Sequence, residues 1–263
     1  MIKAKKSLGQ NFLVDRNIIE KITNLVEIKN KNVLEIGPGT GNLTSAIIEK
    51  NPKELIVVEK DDNLAEIIKN KFCEKLKVIN KDILELNENY LNKDKLIVFG
   101  NLPYNISTEI LCRWIINLKK NNWFDCLILM FQKEVADRII AGFNTKHYGR
   151  LAILSRWKLN IEKICDVKPS SFFPKPKVDS SVLLLKPKLS FFPLKDPKNL
   201  EKLTRIFFMH RRKMLKKPYN TIFNGNTMIA NKLELNLNLN LRPQNLDFET
   251  YYKLTDEFEN LVS

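Results

Sequence analysis

Five short, almost uninterrupted apolar runs separated by stretches of helical character constrain this chain more than any other feature. They are Val33 to Ile36, Leu55 to Val58, Leu76 to Ile79, Leu96 to Phe99 and Leu127 to Phe131. A strand that faces water on one side alternates apolar and polar residues, whereas near-continuous apolar strands are those buried on both faces. Helical stretches at Leu64 to Lys71, Thr108 to Leu118 and Lys133 to Ala141 lie between or after them. The pattern predicts an α/β fold: a parallel sheet with helices on both faces. Ahead of it, Asp15 is an N-cap for a helix with Ile18, Ile19, Ile22, Leu25 and Val26 on one face. Two later runs, Ile161 to Val167 and Val178 to Leu185, suit an antiparallel edge.

Strand signals stop at the proline-bearing stretch Pro187 to Pro197. We therefore expect two domains, residues 1–187 carrying the sheet and 188–263 forming a small all-helical domain. From Lys198 to Lys217 eight basic residues stand against one acid, Glu201, with Leu203, Ile206, Phe207, Met214 and Leu215 at roughly helical spacing. The stretch predicts one helix with an apolar side and a cationic side. Further on, Leu233 to Leu241 alternates with period two, but is expected to be a helix end and loop before Arg242-Pro243. A last helix should carry Phe248, Tyr251, Tyr252, Leu254 and Phe258.

The formal charge of +14 suits an anionic partner such as nucleic acid. Composition alone does not establish this, because 35 Lys and 30 Asn make up a quarter of the chain and AT-rich coding produces that bias unaided. Placement is more telling: Arg211, Arg212 and Lys213 form a denser cluster than solubility requires. No apolar run approaches the roughly 18–20 residues of a membrane span, and the basic N-terminus is not followed by a signal-peptide core. No membrane partner is expected, and the cytoplasm is the default compartment. Cys73, Cys112, Cys126 and Cys165 form no CxxC pair and only two histidines accompany them, so no metal site is expected and buried free thiols are the default.

Chemistry enters after the first apolar run, at Glu35-Ile36-Gly37-Pro38-Gly39-Thr40-Gly41. Gly37 and Gly39 let the backbone turn tightly beside a ligand at the strand ends. The spacing is not GxGxxG, because Asn42 stands where the third glycine would, so a pyrophosphate grip is not indicated. Glu59, ending the second strand, is placed to accept from both hydroxyls of a ribose, and Asp82, just after the next, to accept from an adenine amino group. Three such features in succession favour an adenosine-bearing cofactor, and without a phosphate grip S-adenosylmethionine over NAD.

Asn101-Leu102-Pro103-Tyr104 follows the fourth strand. An exocyclic adenine nitrogen is a poor nucleophile because its lone pair is delocalised. Acceptors fixed around it, here the Asn101 side-chain oxygen and the Leu102 carbonyl, favour a pyramidal nitrogen aimed at a methyl donor. Pro103 adds rigidity, and Tyr104 offers a stacking face to an extruded base.

These residues resemble the KsgA family of small-subunit ribosomal RNA adenine dimethyltransferases. The likeness runs through Gly9 to Leu13, Glu35 to Gly39, Asn101 to Ser107, Gln132 to Val135, Tyr148 to Arg150, Phe172 to Ser180 and Arg211 to Lys213. It implies a class I methyltransferase domain with a Rossmann-like sheet and a helical C-terminal domain. The implied activity places two methyls on N6 of each of two adjacent adenosines near the 3′ end of small-subunit rRNA, during assembly of the subunit. By the resemblance Asn11, Leu13, Gly37, Glu59, Asp82 and Asn101 match cofactor-binding positions. Phe172 matches an aromatic that sandwiches the target base with Tyr104. The enzyme is expected to act as a monomer on the small ribosomal subunit and its rRNA, by direct in-line transfer without a covalent intermediate or a metal. A related family that methylates large-subunit rRNA has a motif resembling Asn-Ile-Pro-Tyr, so Leu102 and the Lys177 to Ser180 context favour the small-subunit reading. A non-catalytic RNA-binding relative is the other alternative, and the intact Asn101 to Tyr104 motif weighs against it.

Overall fold

A computed structural model describes residues 5, 9–87, 94–119, 122–232, 235 and 237–262. Its elements in chain order begin with β1 (Phe12–Leu13), α1 (Arg16–Thr23), β2 (Asn32–Ile36), α2 (Asn42–Glu49), β3 (Glu54–Glu59), α3 (Asp62–Phe72) and β4 (Lys77–Asn80). Next come β5 (Leu96–Asn101), α4 (Ser107–Asn117), β6 (Phe124–Gln132), α5 (Lys133–Ile140), α6 (Arg150–Lys158), β7 (Leu159–Val167), β8 (Phe172–Phe173) and β9 (Ser180–Pro187). The chain closes with α7 (Pro197–Phe208), α8 (Lys216–Phe223), α9 (Thr227–Ala230) and α10 (Phe248–Val262).

The described residues form two compact units. The first comprises residues 1–111, 119–136 and 160–187, and the second residues 112–118, 137–159 and 188–263. Pro187 thus ends the last segment of the first unit, while the second also takes in 112–118 and 137–159 from earlier in the chain.

In the first unit a seven-stranded sheet runs β4-β3-β2-β5-β6-β9-β7. The pairs from β4 to β6 are parallel, and β9 joins β6 antiparallel. Alternate residues point to opposite faces. Val33, Val57 and Phe99 join a core with Ile19 and Ile22 of α1, Ile47 of α2 and Ile68 of α3. Their neighbours Leu34, Val58 and Val98 are also buried, so the sheet is covered on both sides, which is what the unbroken apolar runs required. Asp15 caps α1 by accepting from the backbone N–H groups of Asn17 and Ile18. The helix ends at Thr23, leaving Leu25 and Val26 packed on the core from the turn that follows. Chain order reverses between β2 and β5, and the strand ends at such a switch open a crevice.

In the second unit Tyr148 packs edge-on against Phe208 and Phe248, and Tyr251 donates to the Pro243 carbonyl. Glu259, buried on α10, accepts from the N–H groups of Lys195 and Asp196 at the start of α7. The single cationic helix expected from Lys198 to Lys217 is instead two helices, α7 and α8, with Arg211 to Lys213 in the turn between them. The break has a hydrogen-bonding cause. Leu215 and Lys216 donate their N–H groups to the carbonyls of Leu241 and Leu239 rather than back along a helix. The Leu-Asn tract thus serves as the acceptor strand of a turn. Its residues 233, 234 and 236 lie outside the described residues, as do 1–4 and 6–8 of the basic N-terminus.

Of the four thiols only Cys126 is buried. Cys73 is exposed at the C-cap of α3, where it has φ +48°. Among the described residues no helix is long and apolar enough to cross a membrane.

Candidate active site

The carboxyl ends of β2, β3 and β5, with the turn after β4 and the segment leading into β1, surround one cavity. Its walls include Asn11, Leu13, Gly37, Gly39, Glu59, Asp82 and Asn101 through Tyr104. Of the residues expected at the cofactor or the base, Phe172 is the one that the structure does not bring there. Its ring is 2% exposed and belongs to the core beneath β1 and β8. Phe172 pairs with Leu13 in the two-residue β1–β8 ribbon, and of that pair Leu13 lines the cavity while Phe172 packs into the core.

The glycine turn is shaped by close packing as much as by flexibility. Gly39 has φ +57°, and a Cβ there would stand 2.6 Å from the Phe12 ring. Gly41 has φ +80°, and its Cβ would meet Phe72 at the same distance. Side chains at either position would displace β1 or α3, and with them a wall of the cavity. The ribbon is also tied to α2, because Asn42 Nδ2 donates to the Leu13 carbonyl at 2.8 Å.

Glu59 ends β3 with 7% exposure. One carboxylate oxygen accepts from Asp61 N at 2.9 Å, and the other faces Gly39 N at 3.4 Å. Burial raises its pKa above the ordinary carboxylate value, against the pull of these donors. A second acid, Glu35, lines the same cavity and escaped the sequence reading except as part of the glycine motif. It is 1% exposed, and its Oε2 has no hydrogen-bond partner. Burial, reinforced by the Glu59 carboxylate, pushes its pKa up to about 8. The sequence signal available was its place two residues before Gly37 at the end of a fully buried strand, where a charged side chain needs a reason. Two desolvated carboxyl groups beside one cavity fit a ligand that brings positive charge.

Asp82 follows β4, where one of its oxygens accepts from Leu84 N at 2.9 Å and the other pairs with Lys60 Nζ at 2.7 Å. Asn101 Nδ2 donates to the Asn11 carbonyl at 2.7 Å, which orients the amide and leaves Oδ1 as the acceptor. Pro103 O accepts from Ile106 and Ser107 N–H, so the Asn101–Tyr104 turn feeds directly into α4. Tyr104 is half-buried, with its hydroxyl 2.5 Å from Ser180 Oγ, and burial raises its pKa.

The three side chains of the cationic cluster do not lie together. Arg212 and Lys213 line a groove of the second unit with His210, Lys216, Lys217 and Arg242. Arg211 is turned elsewhere, donating to the Thr145 carbonyl at 3.0 Å with its Nε buried. The Leu-Asn tract contributes through Asn240 and, just beyond it, Arg242, a role its composition did not announce.

A largely parallel sheet with its cavity at the switch point, a glycine turn after β2 and acids at the ends of β3 and β4 define a Rossmann-like methyltransferase fold. Comparison with known proteins narrows that class. Residues 1–260 match the model of the ribosomal RNA adenine dimethylase family. The chain is 62% identical over 260 residues to the ribosomal RNA small subunit methyltransferase A of Pelagibacter ubique, covering 99% of this chain and 98% of that one. It is 40% identical over 267 residues to that of Mesomycoplasma hyopneumoniae, covering 98% and 97%. A crystal structure of a dimethyladenosine transferase from Plasmodium falciparum aligns with TM-score 0.81 and 30% identity, over 95% of this chain and 98% of that one. The 23S rRNA methyltransferase ErmE aligns with TM-score 0.69 at 22% identity, over 95% and 100%, a likeness of fold. The chain belongs to the ribosomal RNA adenine dimethylase family.

Proposed function

We infer that this protein is an S-adenosylmethionine-dependent rRNA adenine dimethyltransferase of the small ribosomal subunit. The carrying observation is that Asn101–Tyr104 and the acids Glu35, Glu59 and Asp82 line one cavity in a chain so similar over its whole length to small subunit methyltransferases. We propose two adjacent adenosines near the 3′ end of the rRNA as its targets, each taking two methyls on N6 during subunit assembly. In this reading residues 1–187 are the methyltransferase domain and 188–263 the RNA- and ribosome-binding domain, working as a monomer in the cytoplasm.

Bound in the cavity, S-adenosylmethionine supplies an electrophilic sulfonium methyl. Glu59 accepts from the ribose hydroxyls, Asp82 from the adenine amino group, and Glu35 faces the positive charge. Asn11, Leu13, Gly37 and Gly39 form the remaining walls. On the substrate side, Asn101 Oδ1 and the Leu102 carbonyl accept from the target amine and so turn its lone pair toward the donor. Tyr104 stacks on the base, its tilt fixed through Ser180. Catalysis is then positioning and orientation of the amine, with one proton released per methyl. Phe172 contributes by holding down the ribbon that presents Asn11 and Phe12, leaving Tyr104 to supply the stacking face.

The test is mass spectrometry of small-subunit rRNA after incubation with the protein and labelled S-adenosylmethionine. Two adjacent N6,N6-dimethyladenosines are expected. Label in large-subunit rRNA, or RNA binding without label, would sink the reading.

A further inference from the structure

Residues 173–179 take no part in the cofactor cavity, yet both ends of this loop are fastened to its walls. At the first end the β1–β8 ribbon pairs Phe12 with Phe173 and Leu13 with Phe172. Residues opposite one another in an antiparallel pair share a face, and successive residues alternate. Leu13 and Phe172 occupy the core face. Phe12 and Phe173 therefore share the other, where the Phe12 ring lies against Gly39 and, like Leu13, lines the cavity. Phe173, its cross-strand neighbour, is 62% exposed. At the second end Ser180 Oγ meets the Tyr104 hydroxyl, and Asp179 accepts from Lys133 N at 2.9 Å. Between the ends stand Lys175 and Lys177, while the Asp179 carboxylate is paired with Lys168 at 2.8 Å.

We propose that this loop is a second RNA-binding element, in which Phe173 stacks on an unpaired nucleotide beside the target adenosine and Lys175 and Lys177 meet the adjoining phosphates. The inference rests on the function proposed above and names a contact that function does not require. An exposed aromatic followed by two cations, with the loop's own acid already paired, is the composition single-stranded nucleic acid calls for. Extruding a base also leaves its neighbour without a stacking partner, and an exposed ring opposite the cavity-lining Phe12 replaces what was lost.

Methyl transfer to small ribosomal subunits by Phe173→Ala, Phe173→Leu and Phe173→Trp variants tests this. Phe173→Ala should raise KM for the subunit about tenfold, with kcat and S-adenosylmethionine affinity nearly unchanged, Trp should restore it and Leu should not. Lys175→Ala with Lys177→Ala should reduce the salt dependence of KM by a slope of about 1.4, the single-strand value for two phosphates. An Ala variant with the parent KM, or a Leu variant restored as fully as Trp, would overturn the proposal. The loop is also read without catalysis, by quenching of the added Phe173→Trp indole with a single-stranded oligoadenylate. If the parent methylates no small-subunit adenosine the functional reading has failed, and absence of quenching is what removes the loop as a single-strand site.

Discussion

The cavity of the first unit and the groove of the second use charge in opposite ways. Around the cavity the decisive groups are acids, Glu35 and Glu59, almost wholly removed from water. In the groove they are cations, among them Arg212, Lys213, Lys216, Lys217 and Arg242. Buried charge is costly and acts strongly over a short range, so it suits one small ligand held in one pose. Exposed charge is inexpensive, screened and tolerant of geometry, so it suits a polyanion whose phosphates repeat. Variants of the cavity should therefore have large effects insensitive to salt, and variants of the groove small effects that depend on salt.

The strongest break should come from the turn after β5. Asn101→Ala removes the proposed amine acceptor together with the bond to the Asn11 carbonyl, and methyl transfer in single turnover should fall by more than about a hundredfold. Tyr104→Ala should lower it by about ten- to a hundredfold, since each 1.36 kcal/mol of lost positioning is about tenfold in rate. Its S-adenosylmethionine affinity should stay nearly intact. A Tyr104→Ala protein that methylates normally but binds no cofactor would move the motif from the base to the cofactor.

Comparable in size, but on cofactor binding, is the effect of Glu59→Ala. A carboxylate accepting from two hydroxyls contributes hydrogen bonds of about 1.5–3 kcal/mol each, so cofactor affinity by calorimetry should drop on the order of a hundredfold. Unchanged affinity in a folded variant removes Glu59 from the site.

These three effects fall on residues that the sequence exposed, and the reason is local. Strand periodicity and glycine turns are written within a few neighbours, so β2 to β6, with Glu59 and Asp82 at strand ends, were legible from the order of residues alone. The β1–β8 ribbon was not: its strands have two residues each and join positions 12 and 173, too short for periodicity and too distant for local signals. Alternation in that ribbon decides that Phe172 is buried and Phe173 exposed, which two adjacent phenylalanines cannot reveal. The break between α7 and α8 escaped for a similar reason, because the acceptors that anchor the start of α8 come from residues 239 and 241. Lys158 shows the same limit. It is 2% exposed, and its Nζ donates to the carbonyls of Ile116 and Leu118 at the end of α4. Burial pulls its pKa down to about 8.

A pH titration sharpens the comparison on the acidic side. Glu35 ionises near pH 8 in the folded chain against about 4.5 when unfolded, so between those values the folded state holds the extra proton. Its stabilising contribution is full below pH 4.5 and lost as pH rises toward 8, at up to about 1.4 kcal/mol per pH unit. Thermal melts of the ligand-free protein should show this decline, and Glu35→Gln should flatten it. A cationic ligand favours the ionised carboxylate, so cofactor affinity should rise over the same window with proton release. Equal calorimetric heats at about pH 7 in buffers of different ionisation enthalpy would contradict that coupling.

The smallest effect is expected in the groove, where the three cations of the cluster should separate. Arg212→Ala with Lys213→Ala removes two charges that line it and should weaken subunit binding only a few-fold near physiological salt. The slope of log affinity against log salt should fall by about 1.8 if both meet duplex phosphates. Arg211→Ala should behave differently, because that guanidinium is spent on the Thr145 carbonyl with its Nε out of water. Its loss removes a charge-assisted hydrogen bond, so the melting temperature should fall while the salt slope stays that of the parent. Parallel salt titrations of the two variants decide the matter. Equal slope changes would mean that Arg211 shares the RNA surface, and no change in either would mean that the groove is a solvated face.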